Sequence, residues 1–352
     1  MSRLPRAYIH LNNIAENWRT LDRLHPGAST AAVVKADAYG LGAPRVARAL
    51  AGAGCDTFFV AYTEEAIAVR RALGPALGRI FVLNGPAASE LRTYKDARLT
   101  AVLSSPDHVE LWRQARDLPC ALHFDTGMNR LGLPAGALQT DGDALRALNP
   151  VLVMSHLACA DEPDHAMNAA QLAAFREIAA AFPGVPASLA NSAGCYLGRD
   201  YGFQVARPGI ALYGGSTPPA RVTIQHAVTL EAEILSVFSV KAGETVGYGA
   251  TYTAPQDAML ATVGLGYADG VLRSASNCFI GWLDGTPCPV TGRVTMDLIT
   301  IDVSKAQQAA KAGRRVEFLG SHAKLEDQAA RANTLGYELL TGLGTRVERL
   351  YP

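Results

Sequence analysis

Lys35 lies where a short apolar segment ends and a glycine-containing segment begins, and its type and position suggest covalent chemistry. The residues before it, 31–34, are small or apolar and predict a buried strand, and Gly40 and Gly42 interrupt the chain before a helical pattern. A lysine at the end of a buried strand loses hydration, and a partly desolvated amine can form a Schiff base with an aldehyde. The alternative is a lysine whose methylene chain packs on apolar surface while its ammonium group reaches solvent.

Other polar residues follow later apolar segments in the same way. They are Arg130, His156, Asn191, Ser192 and Arg207. If these segments are barrel strands, their carboxyl ends meet on one face, which is where barrel enzymes place their active sites. We therefore expect these side chains to converge with Lys35 on one rim. Each also has a structural alternative, since His156 could be a core histidine and Arg130 could cap a helix.

Two chain segments on this rim are suited to bind an anion. Ser192 and the Gly209–Ile210 turn each stand where a helix can begin, and helix N-termini bind phosphate through unpaired amides and the helix dipole. Tyr39, four residues after Lys35, could add a hydroxyl group. A phosphate site beside a reactive lysine suggests pyridoxal 5′-phosphate, whose aldehyde the lysine would hold. The chain has no Gly-x-x-x-x-Gly-Lys-Ser/Thr sequence, which argues against an ATP site.

The apolar pattern predicts an α/β fold whose N-terminal part is a (β/α)8 barrel. The predicted strands are residues 31–35, 57–61, 80–84, 99–103, 120–124, 151–155, 187–191 and 203–207. The predicted helices between them include residues 43–53, 63–73, 106–116 and 167–182. Apolar strands that alternate with helices are typical of a parallel sheet buried on both faces, and eight such units match a barrel. An open doubly wound sheet is the alternative, but no Gly-x-Gly-x-x-Gly follows an early strand.

The pattern changes near Pro218 and Pro219 to alternating and β-branched segments separated by turns. The predicted strands there are residues 228–240, 259–263, 279–283, 289–294, 298–303 and 315–319. This pattern indicates a mostly antiparallel β domain. We predict domains of residues 1–220 and 221–352, with the first strand, 7–11, as a candidate to join the second domain.

Composition and charge exclude several function classes. Lys plus Arg and Asp plus Glu number 32 each, so the formal net charge is zero and no basic patch indicates nucleic acid or an anionic membrane as partner. No apolar stretch is long enough to cross a bilayer, and the N-terminus lacks a signal-peptide core, so we expect a cytoplasmic protein. Six scattered cysteines without a Cys-x-x-Cys pair indicate core residues in a reducing compartment and no metal site.

Two glycine-containing motifs stand out in the second domain, Gly247–Tyr252 and Gly292–Asp297. Glycines on both sides of Tyr248 allow a close approach of the backbone to a neighbour. On local evidence alone, both motifs are best interpreted as β-turns or bulges. The two motifs indicate a function only in combination with the Lys35 segment.

Taken together, the motifs resemble those of the alanine racemase family. The matching stretches are residues 34–42, 125–133, 155–158, 190–192, 207–213, 247–252, 264–270 and 292–297. The resemblance implies a homodimeric, pyridoxal-phosphate-dependent isomerase that interconverts L-alanine and D-alanine and supplies D-alanine for the peptidoglycan of the cell wall. The alternatives are an amino-acid racemase of broader specificity, a decarboxylase of similar fold and a non-catalytic pyridoxal-phosphate carrier protein.

The resemblance also implies roles for individual residues. Lys35 would hold the cofactor and act as one base, and Tyr248 of the partner subunit would be the base on the opposite face of Cα. Tyr39, Ser192, Gly209 and Ile210 would hold the phosphate of the cofactor, and Asn191 would be a further cofactor contact. Arg207 would face the pyridine nitrogen with His156 behind it, and Arg130 would reach the phenolic oxygen. Arg130 would also bind the substrate carboxylate, while Met296 and Tyr267 would line the substrate site.

A free tyrosine has a pKa of about 10, so Tyr248 would need a cationic neighbour or a hydrogen bond to its phenolate, for which His156 and Arg207 are candidates.

Two features depart from the family pattern. The first departure is His123, which stands where the family often has a lysine modified to a carbamate. Because histidine cannot supply that negative charge, we expect Arg130 to be braced by a neutral hydrogen bond, another carboxylate or a bound anion. The second is the C-terminal tyrosine of the family, which we cannot assign around residues 345–347.

Overall fold

The structure is a computed structural model. It describes residues 3–115, 117–134, 136–215 and 222–352. These residues form two compact units. The barrel unit contains residues 14–212 and 222–224, and the β unit contains residues 3–13, 213–215 and 225–352.

Short parallel strands form the centre of the barrel unit. After β1 (Arg6–Ile9), which pairs within the β unit, the strands are β2 (Ser29–Thr30), β3 (Ala32–Val33), β4 (Thr57–Val60), β5 (Arg79–Val82), β6 (Leu99–Leu103), β7 (Cys120–Asp125), β8 (Leu133–Pro134), β9 (Leu152–Met154), β10 (Ala187–Ser188) and β11 (Val205–Ala206). Parallel ladders join β3, β4, β5, β6, β7, β9 and β10 in that order. All residues of β4 and β6 are buried, as expected for strands covered on both faces.

The eighth strand closes the barrel. β11 pairs in parallel with β2, which continues into β3. On its other side, Gln204 N donates a hydrogen bond to Ala187 O, and Arg207 N donates to Ala190 O, which joins β11 to the segment of β10. The predicted (β/α)8 barrel is therefore confirmed, with β2 and β3 together as its first strand.

The helices alternate with the strands. They are α1 (Leu11–Asp22), α2 (Ala43–Ala53), α3 (Thr63–Leu73), α4 (Leu91–Asp96), α5 (Pro106–Arg113), α6 (Ala137–Arg146), α7 (Ala166–Ala180) and α8 (Arg199–Gly202). α2 and α3 have the predicted bounds. α5 is shorter than predicted, and residue 116 lies outside the described residues. α7 ends before Pro183, which disfavours a helical conformation in the residue before it. None of the described helices is long and apolar enough to cross a membrane.

The β unit is mostly antiparallel, as predicted. Its later elements are β12 (Val228–Val240), β13 (Thr245–Val246), β14 (Tyr252–Thr253), β15 (Ala258–Val263), β16 (Ile280–Leu283), β17 (Thr286–Pro289), β18 (Ile299–Asp302), β19 (Arg315–Leu319), α9 (Leu325–Arg331), α10 (Gly336–Thr341) and β20 (Glu348–Leu350). The long strand β12 pairs antiparallel with β1, β19 and β15, and β1 also pairs in parallel with β20. Pro218, Pro219 and the predicted boundary at residues 220 and 221 lie outside the described residues, so that boundary stays a prediction.

One strand prediction in this unit is wrong. The sequence predicts a strand at residues 289–294, whereas β17 ends at Pro289. Asp284 and Gly285 both have positive φ and form a two-residue turn, so pairing with β16 begins at once. After β17, Gly292 turns the chain with a φ of +78°. The turn chemistry, rather than the apolar pattern, therefore sets the position of this strand.

Candidate active site

The residues proposed from the sequence lie just beyond the carboxyl ends of the barrel strands. Lys35 follows β3, Arg130 lies between β7 and β8, His156 follows β9, Asn191 and Ser192 follow β10, and Arg207 follows β11 directly. Four of them are electrostatic neighbours, because Arg207, Arg130 and Lys35 all act on the pKa of His156. The structure thus brings these four side chains together at one end of the barrel, as expected for a barrel active site.

Lys35 begins a left-handed turn and does not end a strand. The sequence predicts a strand through residue 35, but β3 ends at Val33. The next four residues have φ values of +51° (Ala36), +53° (Asp37), +53° (Ala38) and +56° (Tyr39). A left-handed conformation costs an L-amino acid about 1–2 kcal/mol, so four in succession cost roughly 4–8 kcal/mol, which surrounding contacts must offset.

Hydrogen bonds from side chains contribute to that compensation. Asp37 Oδ1 accepts from Ala43 N at 2.7 Å at the start of α2, and the backbone oxygen of Asp37 accepts from Gly42 N at 2.8 Å. Glu65, on α3, accepts from Ala36 N at 2.7 Å. The turn is therefore held at both ends by carboxylates.

The Lys35 side chain is half-buried in a cationic environment. Burial lowers its pKa, the charge of Arg130 lowers it further, and Glu65 opposes these effects. A lower pKa increases the fraction of neutral amine near pH 7. The neutral amine is the form that attacks an aldehyde and accepts a proton.

Tyr39, Ser192 and Gly209 form a compact cradle. Ser192 Oγ accepts hydrogen bonds from Gly209 N at 2.8 Å and from Ala211 N at 3.2 Å. A Cβ atom added at Gly209 would lie 2.3 Å from Tyr39 Oη, so a larger residue would displace this hydroxyl group. Two hydroxyl groups and the amides of a turn thus lie together, which fits the binding of a phosphate group.

Asn191 and Ile210 belong to the same two segments as the cradle. Asn191 Oδ1 accepts from Gly194 N at 2.9 Å, and its Nδ2 donates to Leu157 O at 3.3 Å. These bonds fix the loop that carries Ser192. Ile210 is buried and begins the 3₁₀ turn that follows the glycine.

Arg207 is a buried cation. Its Nη2 donates to Ser155 O at 2.5 Å, and its Nη1 donates to Ser188 Oγ. Burial lowers the pKa of Arg207 to about 10, so the guanidinium remains charged at pH 7. Burial, together with Arg207 and Arg130, holds the pKa of His156 well below its ordinary value. Of the two candidates for a cation beside a tyrosine base, only Arg207 is therefore charged at neutral pH.

Arg130 lies on an exposed loop whose shape is set by Asp125. The Asp125 carboxylate accepts hydrogen bonds from Gly127 N and Met128 N, both at 2.9 Å. No ion pair within the described ranges includes Arg130. The carboxylate nearest to Arg130 in sequence is therefore used to shape the loop and forms no ion pair with the guanidinium.

His123, on β7, is a neutral core side chain. It is 7% exposed, and its Nδ1 has no hydrogen-bond partner among the described residues. Burial, Arg207 and Arg130 lower its pKa to about 4, against the raising effect of Asp125. The imidazole is uncharged at pH 7 and supplies no negative charge to Arg130.

Sequence reasoning did not identify Gln171 and Glu65. Gln171 is fully buried on α7, where its Nε2 donates to Thr126 Oγ1 (3.1 Å) and His156 O (2.9 Å) and its Oε1 accepts from Ala158 N (2.8 Å). It therefore ties together the loops after β7 and β9. The signal for Gln171 was a polar residue on a buried helical face, and that for Glu65 was a glutamate in the first turn of a helix.

Tyr248 lies in the β unit on a turn between glycines. Its side chain is 73% exposed, and Gly247 and Gly249 have φ values of +73° and +72°. A Cβ atom added at Gly249 would lie 3.0 Å from Arg293 Nη1, so the two motifs predicted as turns pack against each other. An exposed tyrosine on a tightly built turn is suited to contact a partner or a ligand.

Tyr267 and Met296 are also exposed and are carried by two loops that bind each other. Tyr267 N donates to Thr295 O at 2.9 Å, and Ala268 N donates to Met296 O at 3.0 Å. Arg346 joins the same two loops. Its Nε donates a hydrogen bond to Asp269 Oδ1 at 3.0 Å, and its Nη1 donates one to Asp297 Oδ1 at 2.7 Å. Arg346 lies in the segment, residues 345–347, in which we could assign no tyrosine of the family.

Comparisons with known proteins agree with this architecture. A family model described as alanine racemase, N-terminal domain, matches residues 9–217, and one described as alanine racemase, C-terminal domain, matches residues 227–351. The alanine racemase of Rhodospirillum rubrum is 49% identical, with 97% of this chain and 94% of that protein covered.

Solved structures show the same likeness over the full chain. The alanine racemase from Bartonella henselae with covalently bound pyridoxal phosphate has a TM-score of 0.93 at 35% identity, with both chains covered completely. The biosynthetic alanine racemase from Pseudomonas aeruginosa has a TM-score of 0.93 at 36% identity, again with complete coverage of both chains. The chain belongs to the alanine racemase family.

Proposed function

We propose that this protein is a pyridoxal-phosphate-dependent alanine racemase that interconverts L-alanine and D-alanine. The observation that carries the proposal is the half-buried Lys35 amine, whose pKa is lowered by burial and Arg130, at the same end of the barrel as Arg207 and the cradle that includes Ser192. The names of the relatives and of the structural neighbours support the same reaction and the same cofactor.

The residues at the rim fit the proposed cofactor. Lys35 would bind its aldehyde, and Tyr39, Ser192 and the amides near Gly209 would hold its phosphate. Pyridoxal phosphate, when bound, supplies an electron sink that makes the Cα–H bond of an attached amino acid acidic. Arg207 would face the pyridine nitrogen, where its charge opposes protonation of that nitrogen. A weaker electron sink favours return of the proton to Cα over transamination.

Racemisation requires proton transfer on both faces of Cα. Lys35 would accept or deliver a proton on one face, which its lowered pKa supports. Tyr248 would do so on the other face and would come from a second copy of the chain in a homodimer. The exposure of Tyr248, Tyr267 and Met296 supports this assignment, since the three side chains would line the substrate site of the neighbouring subunit.

Arg130 would bind the carboxylate of the substrate and the phenolic oxygen of the cofactor. An exposed guanidinium without an ion pair in the described part of the chain is available for both. We also place the protein in the cytoplasm, a proposal supported by six free cysteines, which suit a reducing compartment.

The function is tested by chiral analysis after incubation of the purified protein with L-alanine and separately with L-serine, L-lysine and L-arginine. We expect D-alanine as the main product, and borohydride should fix the cofactor to the peptide that contains Lys35. Lys35→Ala should lower the racemisation rate by about 10²–10⁴-fold, since a catalytic acid–base group is lost. Lys95→Ala, at an exposed lysine on α4, is the control. Faster conversion of another amino acid, or label on another lysine, would contradict the assignment.

The role of Tyr248 is tested with two inactive variants. Tyr248→Phe should lower racemisation by about 10²–10⁴-fold yet leave exchange of the Cα proton with one enantiomer, because Lys35 still serves one face. Mixing it with Lys35→Ala should restore activity through hybrid dimers that contain one intact site. Tyr252→Phe, on the neighbouring strand β14, is the control. Equal residual exchange with both enantiomers, or no recovery despite measured subunit exchange, would exclude a shared two-base site.

The neutral state of His123 gives an expectation about carbon dioxide. Because a histidine with a pKa of about 4 forms no carbamate and carries no charge at pH 7, the racemisation rate should not depend on bicarbonate. The rate is measured in buffer freed of dissolved carbon dioxide and again after bicarbonate is added at constant pH and ionic strength. A lower rate that bicarbonate restores would show that a carbamate forms elsewhere and would overturn this account of Arg130.

A further inference from the structure

The backbone hydrogen-bond ladder between β3 and β4 ends next to Lys35, where the candidate active site begins. Its last bond runs from Val34 N to Phe59 O at 2.8 Å. Beyond that bond, one strand enters the left-handed turn after Lys35 and the other enters α3. The backbone amides on both sides of this gap need acceptors that the ladder does not supply.

One carboxylate spans the gap. Glu65 Oε1 accepts from Ala36 N at 2.7 Å, and Glu65 Oε2 accepts from Ala61 N at 2.7 Å and from Tyr62 N at 3.3 Å. Each oxygen therefore serves a different strand end. Hydrogen bonds to an ionised acceptor are shorter and stronger than those between neutral groups, and a carboxylate offers two such acceptors.

Capping of α3 explains only part of this arrangement. Glu65 lies in the first turn of the helix, so its bonds to Ala61 and Tyr62 are those of a local cap. Its bond to Ala36 reaches a residue 29 positions earlier in the chain, directly after Lys35. A cap that acts only on its own helix has no need of that contact.

We infer that Glu65 is a positioning residue whose two carboxylate oxygens tie the left-handed turn after Lys35 to the end of β4 and so fix the place of the Lys35 amine. The inference rests on the proposed function only for the use of that amine, since the contacts themselves involve no cofactor or substrate. The charge of Glu65 also raises the pKa of Lys35 against burial and Arg130, which places the carboxylate close to the amine.

Glu65→Gln removes the link between the two strand ends and changes the shape of the side chain little. The amide has one acceptor oxygen and an NH₂ group, so one strand end faces a donor and loses its partner. Glu64→Gln is the matched control, because it removes the same charge from the same helical turn at an exposed position. Glu65→Asp is the second variant, since it keeps the charge but is one methylene group too short to reach both ends.

The test measures amide hydrogen exchange in the protein without cofactor. We expect peptides covering residues 33–42 to exchange about 10–100-fold faster in Glu65→Gln and in Glu65→Asp, because a charge-assisted hydrogen bond is lost. Peptides covering β9 and β10, and all peptides of Glu64→Gln, should keep their wild-type rates. Unchanged exchange at residues 33–42 would overturn the inference, and so would equal acceleration throughout the barrel in both Glu65 variants.

A second measurement uses the loaded protein. Glu65→Gln should lower kcat for alanine about 10-fold or more with a smaller change in KM, because Lys35 is displaced while Arg130 is untouched, and Glu64→Gln should change neither. Equal kinetic effects of the two variants would overturn the inference. Local acceleration of exchange in a protein that does not racemise alanine would support the role of Glu65 and refute the proposed function, so the two failures are distinguishable.

Discussion

The site depends on the amine of Lys35, which lies in surroundings that disfavour its protonated, charged form. Burial and Arg130 both lower the pKa of Lys35, and the buried Arg207, which acts with Lys35 on His156, keeps its charge at pH 7. His123 and His156 are neutral at pH 7, because burial and these two arginines lower their pKa values. A rim with this charge suits a ligand that carries both a phosphate and a carboxylate, and it leaves the lysine able to react as a neutral amine.

The backbone must be distorted to place that amine. Four consecutive left-handed residues after Lys35 are costly, and the contacts that offset the cost come from other elements: Asp37 binds the start of α2, and Glu65 reaches across from α3. Gln171 acts in a similar way on the opposite side of the rim by joining the loops after β7 and β9. The helices of the barrel therefore do more than cover the sheet, because they fix the strand ends that carry the chemistry.

The sequence predicted the features that depend on local pattern. Apolar segments that alternate with helices predicted eight barrel strands, and their ends predicted Lys35, Ser192 and Arg207 together. It could not predict contacts between distant positions, and nothing in the residues around Glu65 points to Ala36. The left-handed turn after Lys35 could not be predicted either, because it consists of non-glycine residues whose conformation is imposed by tertiary contacts. The position of β17 was mistaken because a two-residue turn, rather than the apolar pattern, sets its start.

The pKa of Lys35 in the protein without cofactor tests this account most directly. It is obtained from the pH dependence of acylation of Lys35 by a small anhydride, followed peptide by peptide with mass spectrometry. We expect a pKa below the ordinary lysine value of about 10.4, and we expect Arg130→Met to raise it, since one cation is removed from its surroundings. A pKa at or above the ordinary value, unchanged by Arg130→Met, would contradict the claim that burial and neighbouring charge prepare this lysine for catalysis.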